Sequence, residues 1–142
     1  MINYEYFDNS SLLIVKFRGK IDKRTLYSFI EFIYTKTNVE HLTKWVSDYR
    51  DSDLIFNAND LKDITELRSK YLKGSSYNST VFLVGNPKDT VFSIIISENY
   101  YAGLSNCKIC STLETCLNFL SIDINIEEFR NRINNLKFEF KL

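Results

Sequence analysis

A chain of 142 residues with 44% hydrophobic, 25% charged and 15% aromatic positions can bury about two-thirds of its unfolded surface, as one domain of ordinary size. Four glycines and one proline exclude collagen and low-complexity disorder, and the ordinary apolar content excludes a coiled coil. Eighteen Lys+Arg balance eighteen Asp+Glu, which speaks against a general nucleic-acid binder, because phosphate wants clustered excess cations.

Residues 2–7 and 11–18 read as two strands joined by the turn Asp8–Ser11, a β-hairpin with Leu13, Val15 and Phe17 on one face of its second strand. Asp22 is placed to cap a helix bearing Leu26, Phe29, Ile30 and Ile33 at i, i+3, i+4, i+7 spacing. A short strand, Lys44–Tyr49, follows and is expected to run into an acidic turn, Arg50–Asp53. Asn57 or Asn59 caps a second helix with Leu61, Ile64, Leu67 and Tyr71 inward and Gly74 past its end. Thr80–Gly85 is a continuous apolar run that suits a strand buried on both faces. Asn86-Pro87 opens a third helix, with Val91, Ile94, Ile95 and Tyr101 as its expected core face and Gly103 closing it. Cys107–Ser111 is the next strand, and Ser111-Thr-Leu-Glu114 reads as a capping box for a helix bearing Leu113, Leu117 and Leu120. A fifth helix is expected over Asp123–Leu136, with Ile126, Phe129, Ile133 and Leu136 on one side. Lys137–Leu142 alternates like a strand, placed to cover a sheet edge or to pack on a second subunit.

No basic segment followed by an apolar run opens the chain. Its longest apolar runs, Leu12–Val15 and Ile94–Ile96, fall far short of the ~20 residues of a membrane helix. Three cysteines, an odd number, suit free thiols in a reducing compartment, so a cytoplasmic protein without membrane insertion is expected. Asn9-Ser-Ser and Asn78-Ser-Thr match the glycosylation pattern by chance in a chain rich in Asn and Ser.

The order β-β-α-β-α-β-α-β-α over roughly residues 2–120 sets an initial hairpin before a run of βα units. Together with Ser47-Asp-Tyr-Arg50, the Asn-rich entry to the second helix, Val81-Phe-Leu-Val84 before Asn86-Pro87, and Cys110-Ser-Thr-Leu-Glu-Thr-Cys-Leu-Asn-Phe-Leu120, it resembles the STAS and STAS-like, anti-sigma-factor-antagonist-like, domains. The last phrase looks like the family's closing F-x-T/S-x-x-E-A-L-x-W-L. The resemblance implies an α/β fold with a mixed central sheet flanked by helices over residues 1–120. Residues 121–142 then form a C-terminal helical extension packed on the same domain or on a second subunit. It also implies that the loop after the third strand and the start of the next helix form a partner surface. Phosphorylated members carry an Asp-Ser-Ser-Gly-like phrase there. This chain has Ile55-Phe-Asn-Ala-Asn59, without a hydroxyl, while Ser52 lies earlier and between two carboxylates, where a phosphate meets like charges.

Among groups that carry chemistry, Asp48, Asp51, Asp53 and Asp60 with Arg50 form the sharpest cluster, since hard cations bind carboxylates gathered at a strand end. The plainer account is a solvated turn in which Asp48 pairs with Arg50 and with loop amides. Cys107-Lys-Ile-Cys110 has half-site spacing, but residues three apart on a strand point to opposite faces, so buried free thiols are expected rather than a metal site. His41 is the sole histidine and has no nucleophile elbow near it. Gly85-Asn-Pro-Lys88 has too little glycine for a nucleotide loop.

These observations point to a non-catalytic regulatory module that binds an unidentified protein partner and uses no cofactor or metal. The contact surface is expected at Asp48, Arg50, Asp51, Ser52, Asp53, Asn57, Asn59 and Asp60. A carrier of an apolar small molecule, using Phe92, Ile95, Tyr100 and Tyr101, is the alternative, and a metal-dependent phosphoesterase at the acidic cluster is a more distant one. An exposed alternating tail strand also invites a homodimer.

Overall fold

The computed structural model describes residues 1–36, 43–72, 79–100 and 106–142, the side chains of 72 and 96–100 excepted. The expectations placed on His41, Gly74, Asn78, Tyr101, Gly103 and the side chain of Tyr100 lie outside the described residues.

The alternating apolar residues of the amino-terminal segments pair as expected. Strand β1 (Ile2–Phe7) runs antiparallel to β2 (Leu12–Asp22), from Ile2 opposite Phe17 to Phe7 opposite Leu12. A single 3-10 turn, Asp8–Ser10, joins them and ends on Ser11 at φ 47°. Then follow α1 (Lys23–Lys36), β3 (Lys44–Ile55), α2 (Ala58–Leu72), β4 (Ser79–Leu83), α3 (Pro87–Tyr100), β5 (Asn106–Cys110), α4 (Leu113–Leu120), α5 (Ile126–Asn134) and β6 (Phe138–Phe140). The six strands form one mixed sheet in the order β5-β4-β3-β2-β1-β6. β2 through β5 are parallel, and β6 is antiparallel to β1, so the tail strand covers the β1 edge of its own chain.

Period-two alternation divides the strand residues between two cores. Leu13, Val15, Phe17, Trp45 and Phe82 face the layer of α1 and α2, where Leu26, Phe29, Ile30, Ile33, Leu61 and Ile64 are buried. Leu12, Ile14, Val46, Val81 and Leu83 face α4 and α5, with Leu113, Cys116, Leu120, Phe129 and Ile133. The apolar run of β4 is thus buried on both faces, as its sequence demands. Asp22 caps α1 by accepting the Thr25 N–H at 2.8 Å, and hydrogen bonding from Thr25 draws its carboxyl pKa down. The tail is held by rings and by charge. Tyr4 stacks on Phe138 at 5.5 Å, Phe140 meets Phe29 and Phe32, and buried Glu5 accepts the Lys137 N–H and pairs with its ammonium at 2.7 Å.

Four expectations are corrected. The acidic segment Arg50–Asp53 is not a turn but the continuation of β3 to Ile55, and β2 likewise runs on to Asp22. Asp48, Asp51 and Asp53 sit opposite Lys16, Arg18 and Lys20 in the parallel ladder, with Lys16 pairing to Asp48 and Asp51, so two runs that read as polar turns are drawn into one sheet by backbone pairing and complementary charge. In α3, Ile95 packs against the core as expected and Phe92 joins it, but Val91 and Ile94 are exposed while Asp89 and Ser93 are buried, so only part of the expected face turns inward. The α4 cap is Thr112, accepting from Thr115 N–H, rather than Ser111, because the strand ends one residue before Ser111 and the chain needs two residues to turn. The fifth helix is shorter than read, since Asn125 caps it by accepting the Glu128 N–H and Asn135 ends it.

Candidate functional site

The carboxyl ends of β2, β3 and β4 meet the first turns of α2 and α3, and the residues singled out by sequence gather there. A bulge makes this possible. Between Lys16 and Arg18 the register slips, so that three steps along β3, Asp48 to Asp51, match two along β2. An extra residue re-aims the side chains that follow it. Asp48 and Asp51 thereby share Lys16, whose ammonium lies 3.9 Å from one and 2.9 Å from the other.

Asp48 is fully buried. Its two oxygens accept Arg50 Nε and Nη2, each at 2.9 Å, and Oδ1 also accepts the Arg50 backbone N–H at 3.2 Å. This fork is the strong, planar form of a charge-assisted pair. It holds the Arg50 guanidinium pKa above its usual value. Gly85, where β4 leads into α3, lies against the clasp: a Cβ on it would meet Arg50 Cα, Cβ and Cγ at 3.4–3.5 Å, an ordinary van der Waals contact.

Above the clasp the residues reach solvent. The Asp51 side chain is 54% exposed, and its bond from Lys16 holds the carboxyl pKa below the ordinary value. Asp53 is as open, pairing at 3.0 Å with Lys88 in the first turn of α3. The Ser52 hydroxyl donates to the Tyr49 carbonyl at 2.8 Å, so it braces the strand. Asn57 and Asp60 form a reciprocal cap on α2: Asn57 Oδ1 accepts the Asp60 N–H at 2.9 Å, and Asp60 Oδ2 accepts the Asn57 N–H at 3.0 Å. Asn59 is exposed on the first turn. Lys23, at the start of α1, pairs with Asp60 at 3.7 Å and with Asp63, tying the two helix starts together. Beside them an open groove of about 870 Å³ runs between α1 and α2, lined by Lys23, Tyr27, Glu31, Asp60 and Asp63 among others.

The structure thus brings together all eight residues, Asp48, Arg50, Asp51, Ser52, Asp53, Asn57, Asn59 and Asp60, around the end of β3 and the start of α2. The cluster is not an acidic patch, since each of its carboxylates has a cation or an amide. Among the described residues no group of three or more His, Cys, Asp or Glu side chains could hold a metal ion. Sequence reasoning missed the cations Lys16, Lys23 and Lys88. It also missed Ile55, an apolar residue 47% exposed where β3 leaves the sheet. The missed signal was the spacing of Lys16, Arg18 and Lys20, which complements the later acidic run. Of the alternative ligand residues, Phe92 and Ile95 pack partly buried against the α1–α2 core, and Phe92 lies 5.9 Å from the Phe56 ring. Cys107 and Cys110 face opposite cores, and none of the three cysteines is in a disulfide.

The hairpin followed by parallel βα units, with helices on both faces, defines a STAS-like fold. The solved structure of the anti-sigma factor antagonist SpoIIAA in its unphosphorylated form matches it with a TM-score of 0.56 at 12% identity, covering 85% of this chain and 98% of that one. No protein-family model and no curated protein sequence matches the chain. No helix among the described residues is long and apolar enough to cross a membrane.

Proposed function

We propose that this chain is a non-catalytic, cytoplasmic regulatory module that captures a protein partner on the rim formed by the end of β3 and the first turn of α2. The observation that carries this reading is the match in fold, over most of both chains, to SpoIIAA, an anti-sigma factor antagonist. A shared fold does not by itself transfer a function, so the reading also rests on the rim. Exposed Ile55 offers an apolar anchor at the mouth of the α1–α2 groove, with exposed Asp51, Asp53, Asn57 and Asn59 on the same strand end and helix start, the composition of an interface centre with a polar edge. Asp48 and Arg50 are positioning residues beneath it. The entry to α2 carries no hydroxyl, so capture here proceeds without a phosphoserine at that place. Free thiols suit a reducing compartment.

The test is affinity capture from host extract with the wild type and with Asp51→Ala/Asp53→Ala. The reading expects a partner enriched by the wild type and lost by the variant, with the fold intact. Equal enrichment by both would remove the rim from the account.

A further inference from the structure

We propose that two copies of this chain associate through β6, pairing antiparallel about a twofold axis at Phe140 so that their sheets join edge to edge. Met1 and Arg18 exchange both backbone hydrogen bonds, at 3.0 and 2.9 Å, which makes them a hydrogen-bonded pair of the β1–β2 ladder. Such pairs alternate along an antiparallel ladder. The peptide groups of Asn3 therefore face β2, while those of Ile2 and Tyr4 turn towards β6, where their partners are Phe140 and Phe138. By the same alternation the peptide groups of Phe138 and Phe140 point inward and those of Glu139 point outward. Prolonging the strand by two residues adds Lys141 to the outward set. β6 ends the sheet order, so among the described residues no strand lies beside this edge.

Charge selects the register. A twofold axis at Glu139 sets that carboxylate against its own copy. An axis at Phe140 instead sets Glu139 opposite the second copy's Lys141, twice, with Phe140 facing Phe140 and Phe138 facing Leu142. Opposite charges directly across a ladder favour pairing and like charges oppose it. An axis at Phe138 would need the Lys137 N–H, which Glu5 Oε2 already accepts at 3.2 Å. The side chains brought together on the α1 face are ones the single chain leaves open, with Phe138 50% and Leu142 68% exposed. A second copy covers an apolar edge that would otherwise remain a template for unspecific pairing. So short a contact lies below the size of permanent interfaces, so the association is concentration-dependent.

Sedimentation velocity of the full chain between about 5 and about 500 µM reads this directly. The coefficient is expected to rise with concentration towards that of a species of twice the 16.7 kDa mass. Glu139→Lys, and separately Lys141→Glu, place like charges across the axis and should raise the dimerisation midpoint about tenfold. The two changes together restore the pairs and should return the midpoint to within about threefold of wild type. Both positions are exposed, and circular dichroism is expected to be unchanged in all variants. A wild type that stays monomeric throughout overturns the proposal. Single reversals without effect, or a double variant that does not recover, overturn the pairing at Phe140.

Discussion

Replacing Asp48 by Asn probes the clasp under the rim with almost no change of shape. The substituted side chain keeps one acceptor but turns an amide NH2 towards Arg50, donor against donor, and leaves the guanidinium without its counter-charge. Asp48 is fully buried, the Lys16 side chain is 8% exposed and that of Arg50 is 30% exposed. Removing one partner of a buried pair costs about 3–5 kcal/mol, and Arg50 can regain some water while Lys16 keeps Asp51, so a loss of about 3 kcal/mol is expected. In a domain of this size that lowers Tm by roughly 10 °C. Asp51→Asn, at a half-exposed carboxylate, should cost less than about 1 kcal/mol. Adding Arg50→Gln to Asp48→Asn removes the stranded charge and should recover part of the loss, a coupling of about 1–2 kcal/mol in a double-mutant cycle completed by Arg50→Gln alone. Urea denaturation of these variants and the wild type at neutral pH supplies every value. If Asp48→Asn costs no more than Asp51→Asn, the clasp is not what holds β3 under the β4–α3 connection.

Burial raises the pKa of Asp89, which lies beside Asn86, Lys88 and Asp53, so the folded state holds its proton more tightly than the unfolded one. Stability should then fall as pH rises from the unfolded to the folded pKa, and Asp89→Asn, which keeps the Asn86 cap, should abolish that fall. It is expected to be more stable than wild type at neutral pH and level with it near about pH 3; an unchanged pH slope would contradict this. Asn57→Ala removes the α2 cap and should cost about 1 kcal/mol in thermal unfolding; no cost would mean the reciprocal Asn57–Asp60 bonds do not form. Burial pushes the Cys110 and Cys116 thiols up, strongly so for Cys116, so iodoacetamide should modify at most Cys107 in the native protein and all three thiols only in urea. Native labelling of Cys116, read by mass spectrometry, would refute the packing of α4.

The architecture was legible wherever one face of an element is apolar and the other is not. The hairpin, α1 and α2 show their periods plainly, and the hairpin's place before the βα units, together with phrases such as Ser47-Asp-Tyr-Arg50 and Val81-Phe-Leu-Val84, suggested the fold. The extension of β2 and β3 was not legible, because Arg50–Asp53 has the composition of a turn. It is a strand through ladder pairing with residues more than thirty positions earlier, Arg18 to Asp22, which local composition does not show. The face of α3 was hidden for the opposite reason. Apolar residues at 91, 92, 94, 95 and 96 are spaced almost all round a helix, so hydrophobic spacing carries no direction, and among the described side chains of α3 it is Asp89 and Ser93 that are buried. At the site, sequence proximity gathered the acidic residues correctly but could not show that Lys16, Lys23 and Lys88 neutralise them, nor that Asp48 is buried beneath the others.

The claim that matters most is that the β3–α2 rim binds a protein. Quantitative mass spectrometry of captured host proteins, with wild type, Asp51→Ala/Asp53→Ala and Ile55→Ser compared side by side, addresses it most directly. One partner is expected to be enriched on the wild type and reduced about tenfold or more on both variants, in line with loss of an interface anchor, while their melting temperatures stay close to wild type. A partner retained equally by all three proteins would contradict it.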